Sequence, residues 1–394
     1  MRTRACHRSW ATVLVAGALM AVTAGCSATG TDRGEPVAVD AGWVEVTEAL
    51  GRLVSEDHLP GAQVVVTDHG RVRTASAGVA DLEQGTPFRD DARVRIGSNT
   101  KTFVATVMLQ LAGEGKVELD APVERYLPGV VHGPGIDGNR ITIRNLLQHT
   151  SGLPEYAAEF GAPPKPGQLD FHSQGVRWGT TDMADVVRNA LTAPADFEPG
   201  SRWAYSNTNY ALAGMVIEKI TGGSVGAAIA HRIIEPLGLR DTYYPDPDET
   251  DIRGPHPLGY SEVGGERVDY TRQNVSSAGA AGAMVATGAD LNRFFTALLY
   301  GKLLPPDQLT EMKRTVALEV PGPPIGYGLG LMHRQLSCGK DSWGHGGDID
   351  GFETRGGVTA GGRSVTVSVN QVPEASEAAD HVMKVVDAAL CSTN

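Results

Sequence analysis

Strand-like runs at the two ends of the chain, separated by a helical middle, constrain the fold more than any other feature. Ala62-Gln-Val-Val-Val-Thr67 and Arg71-Val-Arg-Thr-Ala-Ser76 flank Asp68-His69-Gly70, β-branched runs around a glycine turn that predict a hairpin. Near the other end, Thr354 to Val358 and Ser364 to Val369 flank Ala360-Gly361-Gly362 in the same way. The pattern predicts an α/β fold with one antiparallel sheet completed by the C-terminus. Helices are expected at Val44, Leu50 and Leu53, at Phe103 to Ala112 before Gly113 and Gly115, and at Asn209 to Ile220 before Gly222-Gly223. A last helix follows from the stripe Ala375, Ala378, Val382, Val385, Val386, Ala389 and Leu390. Residues 42–394 thus read as one domain, with 120–280 a mostly helical insertion; Pro163 to Gly167 fall in a long loop placed to overhang a site.

The N-terminus reads as an export signal over residues 1–25. Arg2, Arg4 and Arg8 precede the uncharged run Trp10 to Gly25, which is short for a membrane span and ends in small residues. Val22-Thr23-Ala24-Gly25-Cys26 is similar to a lipobox, making Cys26 a lipidation candidate, while Val22-Thr23-Ala24 also suits ordinary cleavage. Residues 26–41 are small and polar, a tether. The expected location is outside the cytoplasmic membrane, as a lipoprotein or as a secreted protein. With Cys6 and Cys26 assigned to the leader, Cys338 and Cys391 remain, and a pair in an exported chain reads as one disulfide. The net charge of −12, with no basic run, argues against nucleic acid as a partner. Membrane contact is expected only through the lipid anchor.

Three short motifs carry chemistry. Ser98-Asn99-Thr100-Lys101 places a hydroxyl and an amine one turn apart at the start of a helix, where they share a face. A serine alkoxide forms only when a neighbouring base takes its proton, and a lysine whose pKa is lowered by burial can serve. A second copy, Ser337-Cys338-Gly339-Lys340, falls in a turn-like stretch and reads as coincidence. Tyr205-Ser206-Asn207 offers a phenol that loses its proton more readily beside a cationic amine, and an amide that can orient a substrate amide. His345-Gly346-Gly347 lets a strand backbone approach a ligand closely.

Taken in order, these motifs resemble those of the penicillin-recognising serine hydrolases, which include class C β-lactamases, family S12 peptidases and related esterases. Arg95-Ile-Gly-Ser98, Leu147-Gln-His149-Thr-Ser-Gly-Leu153, Tyr205 to Tyr210 and Gly326-Tyr-Gly-Leu-Gly330 extend the likeness from about Val44 to Cys391. Within the family it is nearest to actinomycete D-alanyl-D-alanine carboxypeptidases, which carry a similarly placed cysteine pair. The resemblance implies a β-lactamase/transpeptidase-like fold, an antiparallel sheet flanked by helices with an inserted helical domain. It makes Ser98 the acylated nucleophile, Lys101 its proton acceptor and Tyr205 the relay to the leaving group. Asn207 would hold the substrate amide, His345 would set the Tyr205 proton equilibrium, and the backbone N–H groups of Ser98 and Asp348 would form the oxyanion hole. The resemblance implies a D-alanyl-D-alanine carboxypeptidase-like serine hydrolase acting on cell-wall peptides or related D-amino-acid amides, with no cofactor and no metal.

Two positions depart from the actinomycete pattern. Gly346 stands where those enzymes have threonine, and Met332 where they have arginine; both groups hold a substrate carboxylate there. His333 and Arg334 lie close by, but neighbouring residues on a strand face opposite ways. A carboxylesterase, D-aminopeptidase or β-lactamase is therefore the alternative within the family, and a non-catalytic lipoprotein that binds cell-wall peptide is the alternative outside catalysis. Gly222-Gly223-Ser224-Val225-Gly226 matches a nucleophile elbow, but an elbow follows a strand and these residues follow a helical stretch. His149, in the family segment, reads as structural rather than as a metal ligand.

Overall fold

The computed structural model describes residues 41–158, 162–319, 324–373 and 375–392. The signal, nearly all of the tether and the lipidation candidate Cys26 lie outside the described residues. The first described element is helix α1 (Ala41–Ser55), followed by the expected hairpin, β1 (Gly61–Asp68) and β2 (Arg71–Gly78). The last quarter opens with β3 (Val316–Ala317), β4 (Ile325–Tyr327), β5 (Met332–Gln335), β6 (Asp341–Gly344) and β7 (Gly347–Ile349). β8 (Phe352–Thr359) and β9 (Ser364–Val369) complete an antiparallel sheet in the order β2-β1-β9-β8-β6-β5-β4-β3, with β7 paired to β8.

Period-two alternation gives the sheet two different faces. On β1 and β9, Ala62, Val64, Val66, Val365, Val367 and Val369 point to α1 and to the last helix, Ser376–Cys391, which buries Val382, Val385, Val386 and Leu390 against them. Val44 is exposed and Val46 takes the buried place in α1, a shift of the expected stripe. The opposite face of β1 and β9 offers Thr67 and Thr366, which bond Asn292 on the helix Gly288–Leu299. Cys338 and Cys391 form the expected disulfide, joining the turn after β5 to the end of the last helix.

Two helices of the second layer position the site. α2 (Thr100–Gly113) is buried along nearly its whole length, and α3 (Asn207–Thr221) packs beside it and ends at Gly222 in the left-handed conformation. Ser224 caps the next helix through the Ala227 amide, so the elbow-like glycines join two helices. Two ribbons, His132–Gly133 with Ile136–Asp137 and Tyr260–Val263 with Glu266–Asp269, lie among the helices of residues 120–280. Strands this short leave no readable period, which is why the sequence pattern showed only helices and loops there.

Candidate active site

Ser98 sits in a single tight helical turn, Gly97–Asn99, that runs straight into α2. Gly97 has φ +47°, and a Cβ on it would lie 2.7 Å from the Asp348 amide nitrogen. A Cβ on Gly347 would lie 2.7 Å from the Ser98 amide nitrogen. Glycine at both positions lets β7 lie directly against the turn, which brings the Ser98 and Asp348 amides onto adjacent backbones.

Lys101 is fully buried, and its Nζ meets Ser98 Oγ at 2.9 Å, Asn207 Oδ1 at 2.7 Å and the Ala281 carbonyl at 2.7 Å. Burial lowers its pKa to about 7, against the opposing pull of Glu155 and Asp348. Two of the three partners only accept hydrogen bonds. In its neutral form the amine satisfies these two with its two N–H groups and turns its lone pair to the Ser98 hydroxyl. The Asn207 amide is held in that orientation by Glu155, whose Oε2 accepts from Asn207 N at 2.7 Å and from Nδ2 at 3.1 Å. Burial pushes the Glu155 carboxyl up, while the N–H groups of Ala157 and Asn207 hold it back. Sequence reasoning missed Glu155, although it follows the family segment by two positions.

Tyr205 faces Ser98, and its ring lies 4.8 Å from Lys101 Nζ. The expectation of an easily ionised phenol is corrected here: burial, then the neighbouring Tyr327, raises its pKa well above the ordinary value. Tyr205 is a proton donor, because desolvation penalises its phenolate. His345 is also differently engaged. Its Nδ1 is 2.5 Å from the Gly346 carbonyl, so Nδ1 carries the proton, and its Nε2 accepts from Tyr327 Oη at 2.9 Å. Burial lowers its pKa to about 3, so the ring is neutral. Tyr327 in turn accepts from His149 Nε2 at 3.2 Å, and His149 Nδ1 accepts from the Ser206 amide and Asn209 Nδ2. The partner of His345 is thus Tyr327 rather than Tyr205, and His149 is a structural link in a directed chain. Tyr327 was visible in the Gly326 to Gly330 segment, but nothing local marked its hydroxyl as the bridge.

The cleft around Ser98 has two lobes. One, of about 370 Å³, is lined by Tyr205, Met332, Arg334, Ser342, His345 and Arg355. The other, of about 610 Å³, carries the carboxylates Glu155, Asp170, Glu262 and Asp350 beside Tyr156 and Phe171. Ser98, Asn207 and Asp348 border both. Pro163 and Pro164 border the larger lobe, so the long loop does overhang the site. Gly346 leaves room that Arg355 fills: a Cβ there would meet its Cδ and Nη1 at 3.0 Å. The second Ser-x-x-Lys copy takes no part, since Ser337 bonds Asp387 through its amide and hydroxyl.

A serine and a buried lysine of lowered pKa, between a helix start and an antiparallel strand, define a serine hydrolase of the β-lactamase and penicillin-binding-protein fold. The Beta-lactamase family profile matches residues 46–390, and the chain belongs to that family. Among solved structures it is similar to a D-stereospecific amidohydrolase from Streptomyces, with 40% identity, 90% of this chain and 100% of the other covered, and TM-score 0.78. It is also similar to the D-amino acid amidase of Ochrobactrum anthropi, with 27% identity, 87% and 98% covered, and TM-score 0.69. Esterase EstB of Burkholderia gladioli is 39% identical over 194 residues, which are 48% of this chain and 48% of the esterase. The chain therefore spans about half the length of that curated relative.

Proposed function

We propose that this protein hydrolyses the amide or ester bond that follows an N-terminal D-amino acid, through an acyl-enzyme on Ser98. The observation that carries the reading is the lobe beside Ser98, where four acidic side chains, Glu155, Asp170, Glu262 and Asp350, surround a single imidazole, His172, which is bonded to Asp350, and leave a place for a free α-ammonium. Tyr156 and Phe171 in the same lobe suit an apolar side chain. The D preference is supported by the names of the Streptomyces and Ochrobactrum relatives. A carboxypeptidase, by contrast, loses both carboxylate-holding groups of the actinomycete pattern, at Gly346 and Met332.

In this mechanism the scissile carbonyl oxygen lies between the Ser98 and Asp348 amides. Neutral Lys101 takes the Ser98 proton as Oγ attacks, and protonated Tyr205 gives its proton to the leaving nitrogen or oxygen. Tyr205 recovers a proton from Lys101, and water, activated by the same pair, releases the acid. The signal-like pattern of residues 1–25 and the Cys338–Cys391 bridge support a location outside the cytoplasmic membrane.

The test compares D-phenylalaninamide, L-phenylalaninamide, N-acetyl-D-phenylalaninamide and an N-acylated peptide ending in D-Ala-D-Ala. The expected result is D-selective hydrolysis, lost in Ser98→Ala, with kcat/KM reduced about tenfold or more by N-acetylation. Faster release of the terminal D-Ala from the N-acylated peptide would replace this reading with the carboxypeptidase one.

A further inference from the structure

Tyr327 borders neither lobe of the cleft, yet its hydroxyl joins the two walls of the site. It accepts from His149 Nε2 at 3.2 Å and donates to His345 Nε2 at 2.9 Å, residues 178 and 18 positions away. His149 continues to the first wall. Its Nδ1 accepts at 3.2 Å from the amide of Ser206, the residue between Tyr205 and Asn207, and its ring lies against Tyr205 with centroids 4.2 Å apart. His345 continues to the second wall. Its Nδ1 reaches the Gly346 carbonyl at 2.5 Å, and Gly346 leads into β7 and the Asp348 amide. Tyr327 itself comes from β4, so three separate segments meet at one oxygen.

The line has one workable polarity. All three side chains are buried, and burial holds both imidazoles below their ordinary pKa, so each carries a single N–H. The Gly346 carbonyl can only accept, which puts the His345 proton on Nδ1 and leaves Nε2 bare. The Ser206 amide can only donate, which leaves His149 Nδ1 bare and puts its proton on Nε2. Between that donor and that acceptor, a side chain must both accept and donate to close the line, and a phenol does. Neighbouring Tyr210 spends its own proton on the Leu147 carbonyl at 2.8 Å and cannot stand in. We infer that Tyr327 is a positioning residue: its hydroxyl sets the Tyr205 phenol and the Asp348 amide in register, so that the proton donor and the oxyanion donor meet one transition state. The inference rests on the roles given above to Tyr205 and Asp348 and is independent of the amine anchor. Without the hydroxyl, a buried N–H of His149 and a buried ring nitrogen of His345 are left unpaired. Both rings then turn to find partners, and each carries one wall of the site with it.

The experiment measures kcat/KM for the ethyl and p-nitrophenyl esters of one acid in the wild type, Tyr327→Phe and Tyr205→Phe. It is run on two acids, D-phenylalanine and butyric acid, so that it survives failure of the amine anchor. Ethoxide needs a proton to leave and p-nitrophenolate does not, so the ratio of the two rates reads the proton donor. The ratio is unaffected by any misfolded fraction, because both esters meet the same active enzyme. In Tyr327→Phe the p-nitrophenyl ester is expected to lose about tenfold through the displaced Asp348 amide, and the ethyl ester about 100-fold or more. An equal loss on both esters, or no loss, overturns the assignment. Tyr205→Phe calibrates the ratio: if the ratio does not move there, the proton-donor role of Tyr205 falls and the role of Tyr327 with it. A wild type that cleaves neither acid's esters removes the catalytic reading altogether. Nitrogen-15 NMR of the imidazoles reads the line directly. The wild type should show His149 protonated at Nε2 and His345 at Nδ1, with both signals displaced in Tyr327→Phe. A His345 proton on Nε2 would overturn the direction on which the inference depends.

Discussion

The chain contains the Ser-x-x-Lys pattern at two places, and only one of them is a site. Ser98 and Lys101 lie at the entry to a buried helix, where the amine is stripped of water and bonded to Ser98, Asn207 and the Ala281 carbonyl. Ser337 and Lys340 lie in an exposed turn beside the disulfide, where Ser337 bonds Asp387. The four-residue spacing is the same, and the difference lies in what the rest of the fold brings to it. Burial lowers the Lys101 pKa to about 7, whereas nothing strips Lys340 of its water.

Substitution at matched positions breaks the comparison most sharply. Ser98→Ala is expected to lose roughly 10³-fold or more in kcat/KM on the best amide substrate, while Ser337→Ala stays near wild type. Equal losses from both would mean that neither serine is the nucleophile. Lys101→Met is expected to cost about 10²–10⁴-fold, the range of a positioned general base, and Lys340→Met almost nothing.

The pH profile sharpens the same contrast. The working form of Lys101 is the neutral amine, so kcat/KM should rise as pH rises through about 7 and level off above it. Glu155 raises the Lys101 pKa through its charge, so Glu155→Gln should move this acid limb to lower pH as well as weaken binding of amine substrates. An unmoved limb would separate Glu155 from Lys101. At the other copy the expected effect is on stability alone. Replacing Cys338 and Cys391 together by serine opens a loop of 53 positions and should cost about 4 kcal/mol in denaturant unfolding, with kcat on the folded fraction unchanged.

Where local pattern governs, the structure was legible beforehand. The hairpin at Asp68-His69-Gly70, the helix after Ser98 and the stripe from Ala378 to Leu390 all follow from period and turn chemistry, and all are present. The ribbon strands were too short to register, and Val44 yielded its place to Val46 because helix rotation is set by the sheet beneath it. In the site, Ser98 and Lys101 were legible because they are one helical turn apart. Glu155 and the Tyr327 hydroxyl were not, because each acts on a partner far away in sequence: Asn207 and His345.

The sequence alone determined the elements, their order and the reactive groups, since these depend on spacings of a few residues. Tertiary structure alone decided the protonation of those groups and the sign of charge in each lobe. Tyr205 holds its proton more tightly and Lys101 less tightly than either would in water because burial, which no local pattern encodes, penalises the charged form of each. Carboxylates from segments as distant as Glu155, Glu262 and Asp350 face one lobe, and Arg334 the other, only once the sheet has closed at β9.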